Sequence, residues 1–139
     1  MAVGKRKKIK RFVIDTNVWI SYCINGELTW VSRYIIQNSL IIYASPKLLA
    51  EFRKVIQYPK IKRFLNVPVS AYISLITALV IIEKDIAVPT ISPDPEDNYL
   101  FDLAISCNAK AIVCGDKLLL GWKETPVQLI TMKEFENLF

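Results

Sequence analysis

Short apolar runs alternate along the chain with stretches in which apolar residues recur every three or four positions. The runs are typical of buried strands, and the recurring positions are typical of amphipathic helices. We predict strands at residues 11–15, 40–44, 80–88, 111–114 and 127–130. We predict helices after residue 16, at 27–37, from 46 to the proline at 59, around 60–65, from about 70, at 94–108 and after 131. Ser45 and Thr131 suit the N-cap position, and Pro46 suits the first position of a helix.

Strands separated by helices predict an α/β fold, in which helices cover both faces of a mainly parallel sheet of about five strands. A length of 139 residues and a hydrophobic fraction of 53% fit one domain with a substantial core. We assign this domain to residues 12–139, after a basic tail at 1–11. The most apolar stretch, at 71–82, is shorter than the ~20 residues that a membrane span needs. No signal peptide is visible, and we expect a cytoplasmic protein without a membrane segment.

The residue types that are absent restrict the chemistry. The chain has no histidine, which excludes Ser-His-Asp and Cys-His catalysis and every zinc site built on imidazole. Its three cysteines form no CxxC pair, and we expect buried, reduced thiols. Any reaction must therefore use carboxylates, hydroxyls, lysine or a metal ion.

The net charge of +5 is unevenly distributed. Six basic residues lie in KRKKIKR at 5–11, which leaves 12 basic against 13 acidic residues in the rest of the chain. A second basic cluster occupies residues 53–63, and acidic residues gather at 94–102. Basic flanks around an acidic centre are typical of a protein that holds a polyanion beside bound cations. A solubilising tail and a solvated helix face are the alternative.

Four acidic residues are placed to meet at one edge of the predicted sheet, because parallel sheets bind ligands at the carboxyl ends of their strands. Asp15 ends the first strand, Asp116 follows the fourth, Asp97 opens the helix before the fourth, and Glu51 lies in the helix after the second. Such a cluster suits Mg²⁺ or Mn²⁺, which would activate water and shield a phosphodiester. Each acid could instead cap a helix, complement its dipole or face solvent. Spacing alone leaves both interpretations open.

Four segments together resemble the PIN-domain family: FVIDTNVWISY at 12–22, SPKLLAEFRKVIQYPKI at 45–61, DPEDNYLFDLAISCNAKAIVCGDKLLL at 94–120 and TMKEFENLF at 131–139. They occur in the family's order and spacing and cover nearly the whole chain. The resemblance is to the toxin components of bacterial and archaeal toxin–antitoxin pairs. It implies a three-layer α/β/α PIN-like fold and a Mg²⁺- or Mn²⁺-dependent endoribonuclease acting on single-stranded RNA. It also implies a small antitoxin protein as partner and a homodimer.

The resemblance also implies the catalytic residues, which are Asp15, Glu51, Asp97 and Asp116. Of these, Asp15, Asp97 and Asp116 hold the cation, and Glu51 positions or deprotonates the attacking water.

Further residues take supporting roles in this interpretation. By the resemblance, Thr16 and Asn17 orient the first acid or a metal-bound water, and Asp102 joins the metal's outer shell. The chain departs from the family at residue 114, where a cysteine replaces the threonine or serine of many members. Charge and position, rather than the motif, suggest further candidates for contact with the RNA backbone, which are Arg53, Lys54 and Lys117.

Two other functions are alternatives to a nuclease for this sequence. A haloacid-dehalogenase phosphatase needs a second aspartate two residues after the first, where this chain has Asn17. The stronger alternative is a non-catalytic PIN-like module that binds RNA or a protein. A scaffold has no physical need for four mutually repelling carboxylates, which favours the nuclease.

Overall fold

A computed structural model of the chain describes residues 10–86, 92–115 and 117–139, and only the backbone of residues 117 and 118. The described strands are β1 (Lys10–Ile14), β2 (Leu40–Ala44), β3 (Val80–Ile82), β4 (Ala111–Val113) and β5 (Gln128–Ile130). The described helices are α1 (Thr16–Ile24), α2 (Leu28–Gln37), α3 (Pro46–Val55), α4 (Pro59–Lys62), α5 (Val69–Leu79), α6 (Asn98–Ser106), α7 (Lys117–Leu120) and α8 (Met132–Glu136). Strands and helices thus follow the predicted order, and α7 is an additional helix that was not predicted.

The described strands form one parallel sheet in the order β3-β2-β1-β4-β5. β1 lies at its centre, where Phe12 is in register with Ile42 of β2 on one side and with Ala111 of β4 on the other. From β1 the chain moves outward to β3 and then crosses back to β4, so the direction of winding reverses beside β1. Parallel sheets open a crevice at the carboxyl ends of the strands flanking such a reversal. The predicted five-stranded α/β fold is confirmed.

Helices cover both faces of the central strand, since residues 12–14 are each 0% exposed. On one face the ring of Phe12 packs edge-on against Phe135 of α8, with 5.4 Å between the ring centroids. On the other face the neighbouring Arg11 borders a cavity at the end of α6. β1 begins at Lys10, so the last two residues of the predicted basic tail belong to the strand. The rest of that tail lies outside the described residues.

Two elements differ from the prediction by more than the small shifts at the ends of the others. The third strand was predicted at 80–88, but β3 ends at Ile82; residues 87 and 88 lie outside the described part. The acid-rich helix predicted at 94–108 begins as a 3₁₀ turn over Pro95–Asp97 and becomes α6 only at Asn98. The carboxylate of Asp94 accepts a hydrogen bond from the backbone N–H of Glu96 at 3.0 Å, which closes this short turn.

The predicted caps are confirmed. The Ser45 hydroxyl accepts a hydrogen bond from the backbone N–H of Leu48 at 3.2 Å and begins α3. Thr131 and Glu134 form a reciprocal capping box at the start of α8. No disulfide joins the three cysteines, as predicted; Cys23 and Cys114 are buried, whereas Cys107 is only half-buried. None of the described helices has the length and apolar character needed to cross a bilayer.

Candidate active site

Asp15 occupies the junction between the central strand and α1. Its backbone N–H donates to the carbonyl of Val113 at 2.9 Å, which extends the pairing of β1 with β4 by one residue. Its own carbonyl accepts the N–H groups of Val18 and Trp19 at 3.0 and 3.1 Å, and so starts the helix. Asp15 is only 6% exposed. The strand and the helix together therefore fix this carboxylate at the sheet edge where the winding reverses.

A cavity of about 360 Å³ opens at this edge. It is lined by Asp15, Thr16, Asn17, Lys47, Glu51, Lys54, Glu96, Asp97 and Tyr99. These residues come from three segments that are distant in the sequence, at 15–17, 47–54 and 96–99. The structure thus brings together three of the four predicted acids, both predicted polar neighbours and one of the predicted basic residues.

The third segment reaches the cavity through a compact turn. The Asn98 side-chain oxygen accepts the backbone N–H of Ser92 at 2.9 Å, and the Ser92 hydroxyl donates to the carbonyl of Asp94. The N–H of Asp97 also donates to that carbonyl, at 3.0 Å. Ser92 is buried at 4% exposure. These bonds hold the start of α6 so that Asp97 and Tyr99 line the cavity.

The acids of the cavity act together on one phenol. Burial raises the pKa of the Tyr99 hydroxyl above its usual value, and the negative charges of Asp15, Glu51 and Asp97 raise it further. The neighbouring Thr16 hydroxyl opposes the rise. Three carboxylates therefore place negative potential on the same point, and Tyr99 remains a neutral hydrogen-bond donor in the physiological range.

The Thr16 hydroxyl is poorly satisfied in this setting. Thr16 is 3% exposed, and its oxygen is buried without a hydrogen-bond partner in the described part of the chain. It lies close enough to the Tyr99 hydroxyl to affect its pKa, but the geometry between them falls short of a hydrogen bond. Native proteins rarely leave a buried hydroxyl in this state, so the cavity offers an unused polar group to whatever binds there.

The cavity suits a hard divalent cation in its chemistry. Its acids supply oxygen ligands, which Mg²⁺ and Mn²⁺ prefer. Among the described residues no group of three acidic or cysteine side chains is close enough to hold a metal ion. Mg²⁺ is commonly held by only one or two carboxylates and keeps several waters, so a smaller set of ligands is sufficient. The fourth predicted acid, Asp116, lies outside the described residues.

The other predicted residues lie elsewhere. Asp102 lines a second cavity of about 220 Å³, together with Lys47, Asp85, Ile86, Tyr99 and Leu103. One of its carboxylate oxygens is buried without a hydrogen-bond partner in the described part of the chain. Arg53 is exposed on α3 and does not line the main cavity. Lys117 begins α7, but its side chain is outside the description.

Three residues that line the main cavity were not predicted as site residues, namely Lys47, Glu96 and Tyr99. A signal for two of them was available. Lys47 lies four residues before Glu51 in a predicted helix, and Tyr99 lies two residues after Asp97. The helical period places the first pair on one face, and chain proximity brings the second pair near the same opening.

Residues 11–118 match the family described as PIN domain. An uncharacterized protein of Methanocaldococcus jannaschii is 30% identical over 126 residues, which cover 86% of this chain and 80% of that protein. The chain is also similar in structure to VapBC2 from Rickettsia felis bound to a DNA fragment from its promoter, with a TM-score of 0.61 and 16% identity, over 87% of this chain and 98% of that one. A second similar structure is Mycobacterium tuberculosis VapC20, a Sarcin-Ricin loop cleaving toxin, with a TM-score of 0.50 and 12% identity, over 76% and 89%. At these identities the two structures establish the fold alone.

Proposed function

This chain belongs to the PIN-domain family, and from that premise we propose that it is a metal-dependent endoribonuclease that hydrolyses phosphodiester bonds of single-stranded RNA. One observation carries the proposal. Asp15, Glu51 and Asp97 come from three distant segments and line a single cavity, at the sheet edge where the winding reverses. Close carboxylates destabilise one another unless a cation or proton compensates them. A bound Mg²⁺ or Mn²⁺ ion provides that compensation.

The residues of the cavity have distinct roles in the proposed reaction. Asp15 and Asp97 hold the cation, and Asp116 is proposed as a third ligand. When bound, the cation lowers the pKa of a water ligand and shields the charge of the phosphodiester. Glu51 accepts a proton from the attacking water, whose oxygen bonds to phosphorus as the bond to the 3′-oxygen breaks. The 3′-oxygen takes a proton from solvent water as it leaves, Glu51 returns its proton to solvent, and the product carries a 5′-phosphate.

Thr16 and Asn17 orient the groups around the first acid. The buried Thr16 hydroxyl has an open hydrogen-bonding capacity that a water beside Asp15 would fill. Asp102 borders the second cavity, from which it would act on the main site through Tyr99, a wall shared by both cavities.

We further propose that the chain is the toxin of a toxin–antitoxin pair in the cytoplasm, with a small antitoxin protein as its partner, and that it forms a homodimer. The support for the toxin and its partner is the likeness in fold to VapBC2 from Rickettsia felis and to VapC20, a Sarcin-Ricin loop cleaving toxin. The homodimer is proposed from membership of the family and from the apolar richness of a small domain.

A cleavage assay tests the nuclease. Purified chain is incubated with single-stranded RNA and Mn²⁺, with and without chelator, beside an Asp15→Asn/Asp97→Asn double variant. We expect cleavage that the chelator abolishes and that the double variant lacks. A Glu124→Gln variant controls for the loss of a negative charge, because Glu124 is exposed and does not line the cavity.

The contrary results are clear. A wild-type chain without metal-dependent cleavage, or a double variant that cuts equally well, eliminates the nuclease. RNA binding that persists without any cleavage would favour the non-catalytic module instead.

A further inference from the structure

One face of α3 presents two cations with a carboxylate between them. Lys47, Glu51 and Lys54 all line the main cavity. They are spaced four and three residues apart, which places them along one side of a helix with 3.6 residues per turn. At a rise of ~1.5 Å per residue, the two lysines are separated by ~10 Å along the helix axis.

The helix that carries this row is firmly anchored. Leu49 and Phe52, on the opposite side of α3, are 6% and 1% exposed. Ser45 caps its first turn, and the backbone N–H of Lys47 donates to the carboxylate of Asp85 at 3.1 Å. The positions of the two lysines relative to Glu51 are therefore set by a rigid element, which leaves only the side chains to adjust.

The surroundings of Lys47 keep its charge at the opening of the cavity. Its ammonium nitrogen lies 5.7 Å from the centroid of the Tyr99 ring, a range at which an aromatic face attracts a cation. Lys47 and Tyr99 also line the second cavity, so this pair forms the boundary between the two. The main cavity thus has a lysine at each end of the row and the Glu51 carboxylate between them.

We propose that Lys47 and Lys54 bind the RNA backbone phosphates on the two sides of the reacting phosphate, so that the RNA strand runs along α3. This inference rests on the proposed nuclease function, since it places the reacting phosphate at Glu51. Phosphates attract lysines through charge alone, without reading the base sequence. The acids repel the strand wherever no cation compensates them, so a lysine on each side keeps it aligned.

The lysines have another conceivable role, which is to stabilise α3 by pairing with Glu51 at helical spacing. The two roles make different predictions. A pairing role affects the stability of the fold and leaves RNA binding unchanged. A phosphate-binding role affects the salt dependence of RNA binding and leaves the melting temperature nearly unchanged.

The experiment measures RNA binding without cleavage. A fluorescent single-stranded RNA is titrated with the Asp15→Asn/Asp97→Asn variant in chelator, over a range of KCl concentrations. Lys47→Gln and Lys54→Gln are added singly and together. Lys133→Gln on α8 is the matched control, since it removes one exposed positive charge away from both cavities. Melting temperatures are recorded for every variant.

Replacing either cavity lysine by glutamine should reduce the magnitude of the slope of log affinity against log salt by ~0.7, and replacing both should reduce it by ~1.4. Each phosphate contact on a single strand contributes about that amount to the slope. Lys133→Gln should leave the slope unchanged. Slopes that do not differ from the control overturn the inference, as does a change at only one lysine. If the wild type cuts RNA in that case, the proposed nuclease function is retained and only the proposed RNA path along α3 is rejected. If the slopes change but no chain cuts RNA, the path stands and the nuclease fails.

Discussion

At the scale of single residues, Thr16 is the position at which we expect a substitution to affect stability and activity most differently. Its hydroxyl is buried and has no hydrogen-bond partner in the described part of the chain. The free energy lost by removing this hydroxyl from water is therefore not offset by a hydrogen bond. Thr125 offers the opposite case, because its hydroxyl donates to the carbonyl of Val127 at 2.6 Å and accepts the N–H of the same residue at 3.3 Å. In the proposed function the Thr16 hydroxyl therefore serves a ligand, whereas the Thr125 hydroxyl holds a loop together.

We predict that Thr16→Val leaves the free energy of unfolding unchanged or slightly raises it, while metal-dependent cleavage falls about tenfold, which corresponds to ~1.4 kcal/mol in the activation barrier. Thr125→Val should lower the free energy of unfolding by ~1 kcal/mol and leave cleavage intact. Urea denaturation and an RNA cleavage assay measure the two quantities. A Thr16→Val chain that is clearly less stable but equally active would assign the hydroxyl to the fold instead.

Sequence reasoning at this scale was strongest where one property decides a residue's position. Asp15 was placed at the end of the first strand, and the structure has it there. Lys47 and Tyr99 were missed because a lysine or a tyrosine at a helix start usually faces solvent or core. Only the packing of α3 beside α6 turns both toward the acids.

At the scale of secondary structure elements, α8 packs against β1, α1 and α2, the first three elements of the described chain. The Tyr34 hydroxyl donates to the carbonyl of Phe135 at 2.6 Å, and the Tyr22 hydroxyl donates to the carboxylate of Glu136 at 2.8 Å. Burial, followed by this contact with Glu136, raises the pKa of the Tyr22 hydroxyl. The Phe135 ring meets Phe12 and Tyr34 edge-on, at 5.4 Å in each case. This short helix therefore closes the face of the sheet that it covers.

We predict that Phe135→Ala lowers the free energy of unfolding by ~3–5 kcal/mol, the usual cost of removing a fully buried phenylalanine. Leu138→Ala, three residues later, should cost far less, because Leu138 is 41% exposed. Urea denaturation of the two variants supplies the comparison. Equal losses would mean that the segment after α8 contributes as much to stability as the buried Phe135 ring does.

The bounds of elements were predictable where a side chain marks them. Ser45, Pro46 and Thr131 start helices where the sequence predicts. The start of α6 was not predictable at this precision, because the choice between a 3₁₀ turn and an α-helix depends on how Ser92 and Asn98 bond to each other. The end of β3 was also missed, although the three charged residues Glu83, Lys84 and Asp85 follow Ile82 directly and break its apolar run.

At the scale of the whole molecule, a divalent cation should stabilise the fold. Ligands that bind only the folded state raise its stability by mass action, by ~2.7 kcal/mol at one hundred times the dissociation constant. We predict that millimolar Mn²⁺ raises the melting temperature of the wild type by a few degrees and that chelator reverses the shift. The Asp15→Asn/Asp97→Asn variant should show no such shift. A matching shift in that variant would locate the cation outside the main cavity.

The sequence predicted a parallel sheet with acids at its carboxyl edge, but it did not predict the order of the strands. That order depends on which strands find partners across the sheet, and similar apolar runs carry little information about this choice. The sequence therefore predicted only that Asp15 and Asp97 lie at the same edge of a parallel sheet. That they line one cavity depends on the crossing from β3 back to β4, which the sequence did not predict.

The hydrogen bond from Asp15 to Val113 has a consequence for synthesis. The first acid emerges early from the ribosome, but the strand that fixes its position is made almost one hundred residues later. Domains fold as units, and a nascent chain that ends before β4 cannot hold Asp15 in its final place. A translating ribosome would thus carry an inert polypeptide until nearly the whole domain has emerged. For an enzyme proposed to cut RNA, this order of events protects the message from which it is being made.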